Sequence, residues 1–222
     1  MKLIHEDLPD EAKITARALK KVFDIKSDIN NANLDGLFVS INSFNGYLVY
    51  SQKLSEISKL PKMHLIVTPK DLYVADKNRE EDWVFGCHSG NLIVLSTARL
   101  KRQDSLPSIK LLIPSKHYEK RIEAMSIHEV GHDVVKGDHL QEAYFVNAKN
   151  GYRLPLGPHC TDPRCIMYEI IDVKTPAKEE SYLEIGGKEK FDAGLDDLIE
   201  RLYPRFFCEK CLSNIKIEKK YD

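Results

Sequence analysis

The sequence predicts an α+β fold. Three observations carry that prediction. Short β-rich runs bounded by turn residues fill roughly the first hundred positions, one long helical segment follows, and a hairpin and further helical segments come last. Strands and helices are therefore segregated along the chain. No strand–helix–strand period repeats, which points to a mixed sheet rather than a doubly wound array. At 222 residues and 42% hydrophobic content the chain can bury one sizeable core without disulfide staples. A single domain over residues 1-222 is expected, with an N-terminal part at 1-137 and a C-terminal part at 138-222.

The elements follow in order. "LPDEAKITARALKKVFD" reads as a helix, with Pro9 at its start and Ala12, Ala16, Leu19 and Val22 or Phe23 on one face. "GLFVSIN" and "MHLIVTP" are short strands between turn residues. "EDWVFGCHSGNLIVLSTARL" reads as two strands joined by a turn at Gly86 to Gly90, an edge hairpin. "SKHYEKRIEAMSIHEVGHDVVK" is the strongest helix, with Ile122, Met125, Ile127 and Val134 on its apolar face and Gly137 as its stop. "EAYFVNAKNGYRL" reads as a β-hairpin turning at Asn150-Gly151. Polar loops around "TPAKEES" and "IGGKEK" precede a helix, "AGLDDLIERLY", and a last short segment, "FCEKCLSNI".

Composition narrows the classes of function. A net charge of -1 leaves no electrostatic footprint for nucleic acid or an anionic membrane, and the basic tail "KIEKKY" is too short to change that. The opening "MKLIHEDLPDEAKITARALKK" carries acids at once and has no apolar run, so it reads as neither secretory signal nor membrane anchor. The run from Lys110 to Ser115 is far too short to span a bilayer. A cytoplasmic protein is expected. In a reducing compartment five cysteines point first to metal binding rather than a disulfide framework.

His128, Glu129 and His132 form H-E-x-x-H. On a helix, positions four apart share a face, so both imidazoles can reach one ion. Glu129 projects to the flank, where it can hydrogen-bond a water on the metal and take its proton. The bland alternative is three exposed helix residues. A third ligand has two candidates, nearby His139 and distant His159.

A second cluster lies in "GPHCTDPRCIM", which carries His159, Cys160, Cys165 and Met167, with Cys208 and Cys211 as a C-x-x-C knuckle downstream. Cys160, Cys165, Cys208 and Cys211 have the spacing to wrap one tetrahedral zinc with no open position, a structural site. The competing reading is four buried thiols acting as small hydrophobes. Cys87 reads as a packed residue at a strand end, and His88 beside it as a turn residue.

These pieces together resemble the archaemetzincins, zinc metallopeptidases of the metzincin clan. Their pattern is H-E-x-x-H-x-x-G-x-x-H-C, four residues, C-x-M, and a later C-x-x-C. "HEVGH", "HCTDPRCIM" and "CEKC" match it piece by piece, and the resemblance covers roughly residues 63 to 215. The chain departs from the pattern twice. His132 to His159 spans twenty-seven residues instead of six, and forty residues separate Met167 from Cys208, a longer gap than the family's. Two insertions account for this, the hairpin around Asn150-Gly151 and the loop around residues 172 to 192.

The resemblance implies a single metallopeptidase domain with a metzincin-like twisted mixed β-sheet packed on an active-site helix. Its C-terminal helical segment would be tied by the structural zinc. It selects His159 as third ligand of the catalytic zinc, because His159 leads directly into the H-C-x4-C-x-M unit, and Gly157 serves the turn before it. Met167 would form the floor of the site, and Tyr168 after it is a candidate to reach a reaction intermediate. Two zinc ions per chain are implied, one catalytic and one structural. Glu129 would be general base, then acid to the leaving amine. The partner is a peptide or protein substrate, bound by β-augmentation along an edge strand at residues 91 to 97, with no nucleic acid and no membrane. A catalytically weak or inactive, zinc-stabilised peptide- or protein-binding module is the rival reading. A zinc-ribbon nucleic-acid binder is a third, disfavoured by the charge.

Overall fold

The first strand, β1 (Lys2–His5), pairs on both sides in parallel, with β2 (Asp28–Asn31) and with β5 (His64–Thr68). A computed structural model of the protein describes residues 1–41, 46–48, 51–75, 81–98, 100, 115–147, 153–162, 165–168, 181–185, 188–190 and 207–221. The chain divides into two compact units, Met1–Val130 with Ile217–Asp222, and Gly131–Lys216.

In the first unit, parallel pairing of β1 with β2 needs a crossover, and α1 (Pro9–Phe23) supplies it. Pro9 opens the helix, where its missing N–H costs nothing, and Asp24 closes it in the left-handed region at φ 58°. Its buried face holds Ala12, Ile14, Ala18, Leu19 and Phe23, wider than the expected face; Ala16 and Val22 are half-buried. The main sheet runs β2-β1-β5-β9-β8, where β9 is Leu92–Ser96 and β8 is Gly86–Ser89. Every residue of β5 and β9 is buried, as befits strands covered on both faces. A second sheet of β3 (Val39–Ile41), β4 (Gly46–Leu48), β6 (Asp71–Ala75) and β7 (Glu81–Val84) lies in the same unit, as does the short helix α2 (Gln52–Ile57).

The long helix, α3 (Ser115–Val134), matches its predicted span, and Gly137 beyond it takes φ +143°. Several links fasten it to α1: Tyr118 donates to Glu11 Oε1 at 2.9 Å, the Thr15 and Ser126 hydroxyls meet at 3.0 Å in the interior, and Arg17 pairs with Glu119 and Glu123 at the surface. From Arg121 onward most of α3 is buried, including Ser126, His128, Glu129 and Asp133. With Arg121 they make five buried polar side chains on α3 among the described residues, and such groups are kept inside only where they find partners.

The second unit is built on a wholly antiparallel sheet, β11-β10-β12-β13. Its strands are β10 (Leu140–Asn147), β11 (Arg153–Cys160), β12 (Ser181–Ile185) and β13 (Lys188–Lys190). The predicted hairpin is therefore present, with its Asn150-Gly151 turn outside the described residues. Pro155 and Pro158 sit on β11, an outer strand where the missing N–H leaves no ladder bond unmade. The short helix α4 (Glu209–Ser213) belongs to this unit, and a 3-10 turn at Lys219–Tyr221 belongs to the first.

Four expectations need correction. "EDWVFGCHSGNLIVLSTARL" makes three strands, β7, β8 and β9, so Gly86 lies in a strand and the hairpin turn is at Gly90, φ +57°. His88 accordingly sits exposed on β8, not in a turn. Residues 91 to 97 form no edge: β9 is flanked by β5 and β8, and the outer strand is β8. The stretch expected as polar loop carries β12 and β13. The helix expected at "AGLDDLIERLY" lies outside the described residues.

Candidate functional site

Helical geometry puts His128 and His132 one turn apart on α3, and β11 brings His159 to them. The three residues' ligand nitrogens all lie within 4.8 Å of one another. The His132 and His159 rings stand edge to face with centroids 4.6 Å apart. His159 Nδ1 donates to the Gly157 carbonyl at 2.8 Å, which fixes the tautomer and makes Nε2 the nitrogen able to coordinate an ion. Burial pushes the His159 imidazole down to about 4, so the ring is held neutral, the form a ligand needs.

Gly157 is the pivot of this arrangement, though not in a turn as expected. It sits at φ +88° beside an irregularity in the β10–β11 ladder, and its N–H donates to Glu142 Oε1 at 2.9 Å. A side chain there would be strained by the backbone alone. His159 pairs in register with Gln141, and Cys160 with Leu140. Successive residues of a strand face opposite ways, so one strand end serves two donor groups.

The second group is Cys160, Cys165, Cys208 and Cys211, whose sulfurs also lie within 4.8 Å of one another. All four thiols are free. Cys160 Sγ and Cys208 Sγ are 3.6 Å apart. That is far beyond a disulfide, about 2.05 Å. It is close to the edge of a tetrahedron with zinc–sulfur bonds of about 2.3 Å, roughly 3.8 Å. Backbone N–H groups point at the sulfurs: Asp162 at Cys160 at 3.4 Å, and Cys208 and Met167 at Cys165 at 3.3 and 3.5 Å. The Cys211 thiol and those N–H groups hold the Cys165 thiol down to about 5, whereas burial pushes Cys160 up to about 11. The donor set fits a closed zinc–thiolate centre in composition, distance and hydrogen bonding.

Glu129 is buried, and burial pushes its carboxyl up to about 8. It packs on Gly86 of β8: a Cβ at Gly86 would lie 2.5 Å from Glu129 Cδ and 2.6 Å from Oε1. Gly131, inside H-E-x-x-H, is bare for a like reason, since its Cβ would fall on Met167 Sδ. Met167 is fully buried, and the Cys160 N–H donates to its carbonyl at 2.8 Å. Tyr168 is buried against Ala143 and Leu156. Cys87 lies on β8; burial first, and Glu129 second, push its thiol up to about 12, which makes it no nucleophile.

The structure separates the two histidines that compete in the sequence. His159 stands with His128 and His132, while His139 Nε2 lies 3.3 Å from Cys211 Sγ. Sequence reasoning passed over two partners, Gly86 for Glu129 and His139 for the thiol cluster. Only glycine's presence in "FGCHSG" could have hinted at the first, and nothing local at the second.

Fold and donor groups together define a metzincin-like architecture with two candidate metal centres. The archaemetzincin of Archaeoglobus fulgidus, solved in complex with malonate, is 22% identical, with 97% of this chain and 100% of that one covered, at a TM-score of 0.54. The archaemetzincin of Methanopyrus kandleri is 19% identical over 96% and 92% of the two chains, at 0.53. A zinc-dependent peptidase from Methanocorpusculum labreanum is 19% identical over 97% and 99%, at 0.55. The chain thus has the archaemetzincin fold over nearly its whole length, further than the residues 63 to 215 legible in the sequence. No protein-family profile and no curated protein matches it. No helix among the described residues is long and apolar enough to cross a membrane.

Proposed function

We propose that the protein is a zinc metallopeptidase of the archaemetzincin type, acting as one metallopeptidase domain on a peptide or protein substrate. The observation that carries the reading is the convergence of His128, His132 and His159 beside a buried Glu129. The names of the structural neighbours, two archaemetzincins and a zinc-dependent peptidase, support it.

His128, His132 and His159 would hold the catalytic zinc, and Cys160, Cys165, Cys208 and Cys211 a structural one. Zinc held by the histidines would supply Lewis acidity and a lowered water pKa, toward about 7. Glu129 would take one proton from the attacking water as its oxygen bonds to the carbonyl carbon, and would return it to the leaving amine as the carbon–nitrogen bond breaks. Its burial near Gly86 raises the carboxyl's proton affinity, the direction that helps it hold the proton until the amine leaves. Met167, packed on Gly131, supports the helix turn that carries His132. An extended peptide would add to β8, whose outer side carries no strand among the described residues.

Glu129→Gln tests the reading. An enzyme keeps its zinc content and melting temperature and loses peptide hydrolysis by at least about a hundredfold, the scale of a lost general base. An unchanged rate on a panel of mixed peptides, or no hydrolysis by the wild type, would leave the inactive binding module as the better reading.

A further inference from the structure

The thiol cluster has a fifth side chain against it. His139 Nε2 lies 3.3 Å from Cys211 Sγ. Its seat is prepared by Gly137: at φ +143° that residue brings a would-be Cβ within 2.7 Å of His139 Nδ1 and 2.9 Å of Cε1, so only a bare glycine leaves room. The end of α3 is fastened to the same place. The Lys136 N–H donates to the Asn214 carbonyl at 3.0 Å, the Lys216 N–H to the Val134 carbonyl at 2.7 Å, and Val135 forms an isolated bridge with Ile215. Asn214 closes α4, the helix that bears Cys211.

We propose that His139 is a positioning residue of the four-thiol metal site, donating Nε2–H to Cys211 Sγ and so tying the end of α3, with His132 on it, to that sulfur. The proposal rests on the reading of the thiol cluster as a zinc site. A thiolate on a metal has no proton left to give, so the imidazole must be the donor. Four thiolates around a divalent ion leave two negative charges in a partly buried place, and N–H donors disperse them. Cys160 and Cys165 receive theirs from the backbone. Cys211 receives one from a side chain, which mutation can remove. His139 is not itself a ligand, because four sulfurs already complete the tetrahedron.

The experiment compares wild type, His139→Ala and His139→Gln in two measurements. One is the sulfur-to-cobalt charge-transfer absorption of the Co²⁺-loaded protein. The other is the rate of zinc release to a chromogenic chelator. His139→Ala is expected to move the band to longer wavelength, since a thiolate deprived of its hydrogen bond gives up charge more easily, and to speed release of the thiol-bound zinc about tenfold or more. His139→Gln keeps an N–H at similar reach and restores both. A band and a release rate unchanged in His139→Ala would overturn the proposal. So would equal defects in the alanine and glutamine proteins, which would mark His139 as mere packing. A wild type without any sulfur-to-cobalt band would instead remove the zinc-site reading beneath it.

Discussion

On the proposed mechanism, replacing Gly86 with alanine should disable Glu129 without touching any of the seven candidate metal donors. The new Cβ would stand 2.5 Å from Glu129 Cδ, so one of the two must retreat by about 0.9 Å to reach the 3.4 Å at which ordinary contact begins. The strand cannot supply that movement cheaply, because the same Cβ meets the Val94 carbonyl of the neighbouring strand at 2.9 Å. The Glu129 side chain therefore swings away. A catalytic group misplaced by about 1 Å costs on the order of a hundredfold in rate. The assay is kcat and KM on a fluorogenic peptide, with zinc content and melting temperature on the same sample. The expected result is full zinc, kcat down about a hundredfold, and a stability loss of about 1–3 kcal/mol from overpacking. Gly90→Ala is the control: its φ of +57° and the Ser58 carbonyl 2.7 Å from its Cβ predict lost stability with kcat retained. Glu129→Asp shortens the side chain, so its combination with Gly86→Ala should lose less stability than the sum of the single changes. A fully active, zinc-replete Gly86→Ala protein would refute the reasoning.

Two further outcomes follow from contacts. Gly131→Ala would ordinarily stabilise a helix interior by about 1 kcal/mol, yet here its Cβ lands on Met167 Sδ. A lowered melting temperature is expected, and a raised one would show that Met167 is free to move aside. His64 is buried, and desolvation first, with Lys2 and the Met1 amino group adding to it, holds its imidazole below the usual value against the opposing pull of its bond to the Lys62 carbonyl. The unfolded chain then binds a proton more readily than the folded one as pH falls through about 6.5, so folding stability declines toward acid and its His64 share is fully present only above that value. Urea titrations at pH 5.5 and 7.5 should show a smaller difference for His64→Gln than for wild type, and equal differences would sink this assignment.

What could be read in the sequence was what depends on local period. The α3 helix and the facing of His128 and His132 follow from a repeat of 3.6, and α1 from Pro9 and its apolar positions. What failed depends on tertiary setting. The run Leu92–Leu95 is wholly apolar because it lies in an interior strand, and mistaking it for an edge came from treating Gly86 as a turn residue. Gly86 is glycine because Glu129, forty-three positions later, lies against it, and no local pattern announces that. His139 misleads in the same way: its spacing imitates a ligand, and its partner is a cysteine seventy-two positions on.

The resemblance selected His159 against the numerical gap, and the hairpin explains how a long insertion can leave His159 beside His128 and His132. Antiparallel strands return the chain to the rung it left. Gln141, nine positions after His132, is directly opposite His159 in the β10–β11 ladder, so the inserted residues are an excursion that begins and ends at one place. Register then matters more than length. A slip of one residue would turn His159 toward the thiols and Cys160 toward the histidines. The irregularity between Ala143 and Tyr144, with Gly157 at φ +88° and its N–H on Glu142, breaks the ladder's uniformity just before His159 and Cys160 and so favours a single register. Selection can therefore lengthen or trim the hairpin beyond Tyr144 and Pro155 with little effect on the donors, while the few residues from Gly157 to Cys160 are held by both groups at once.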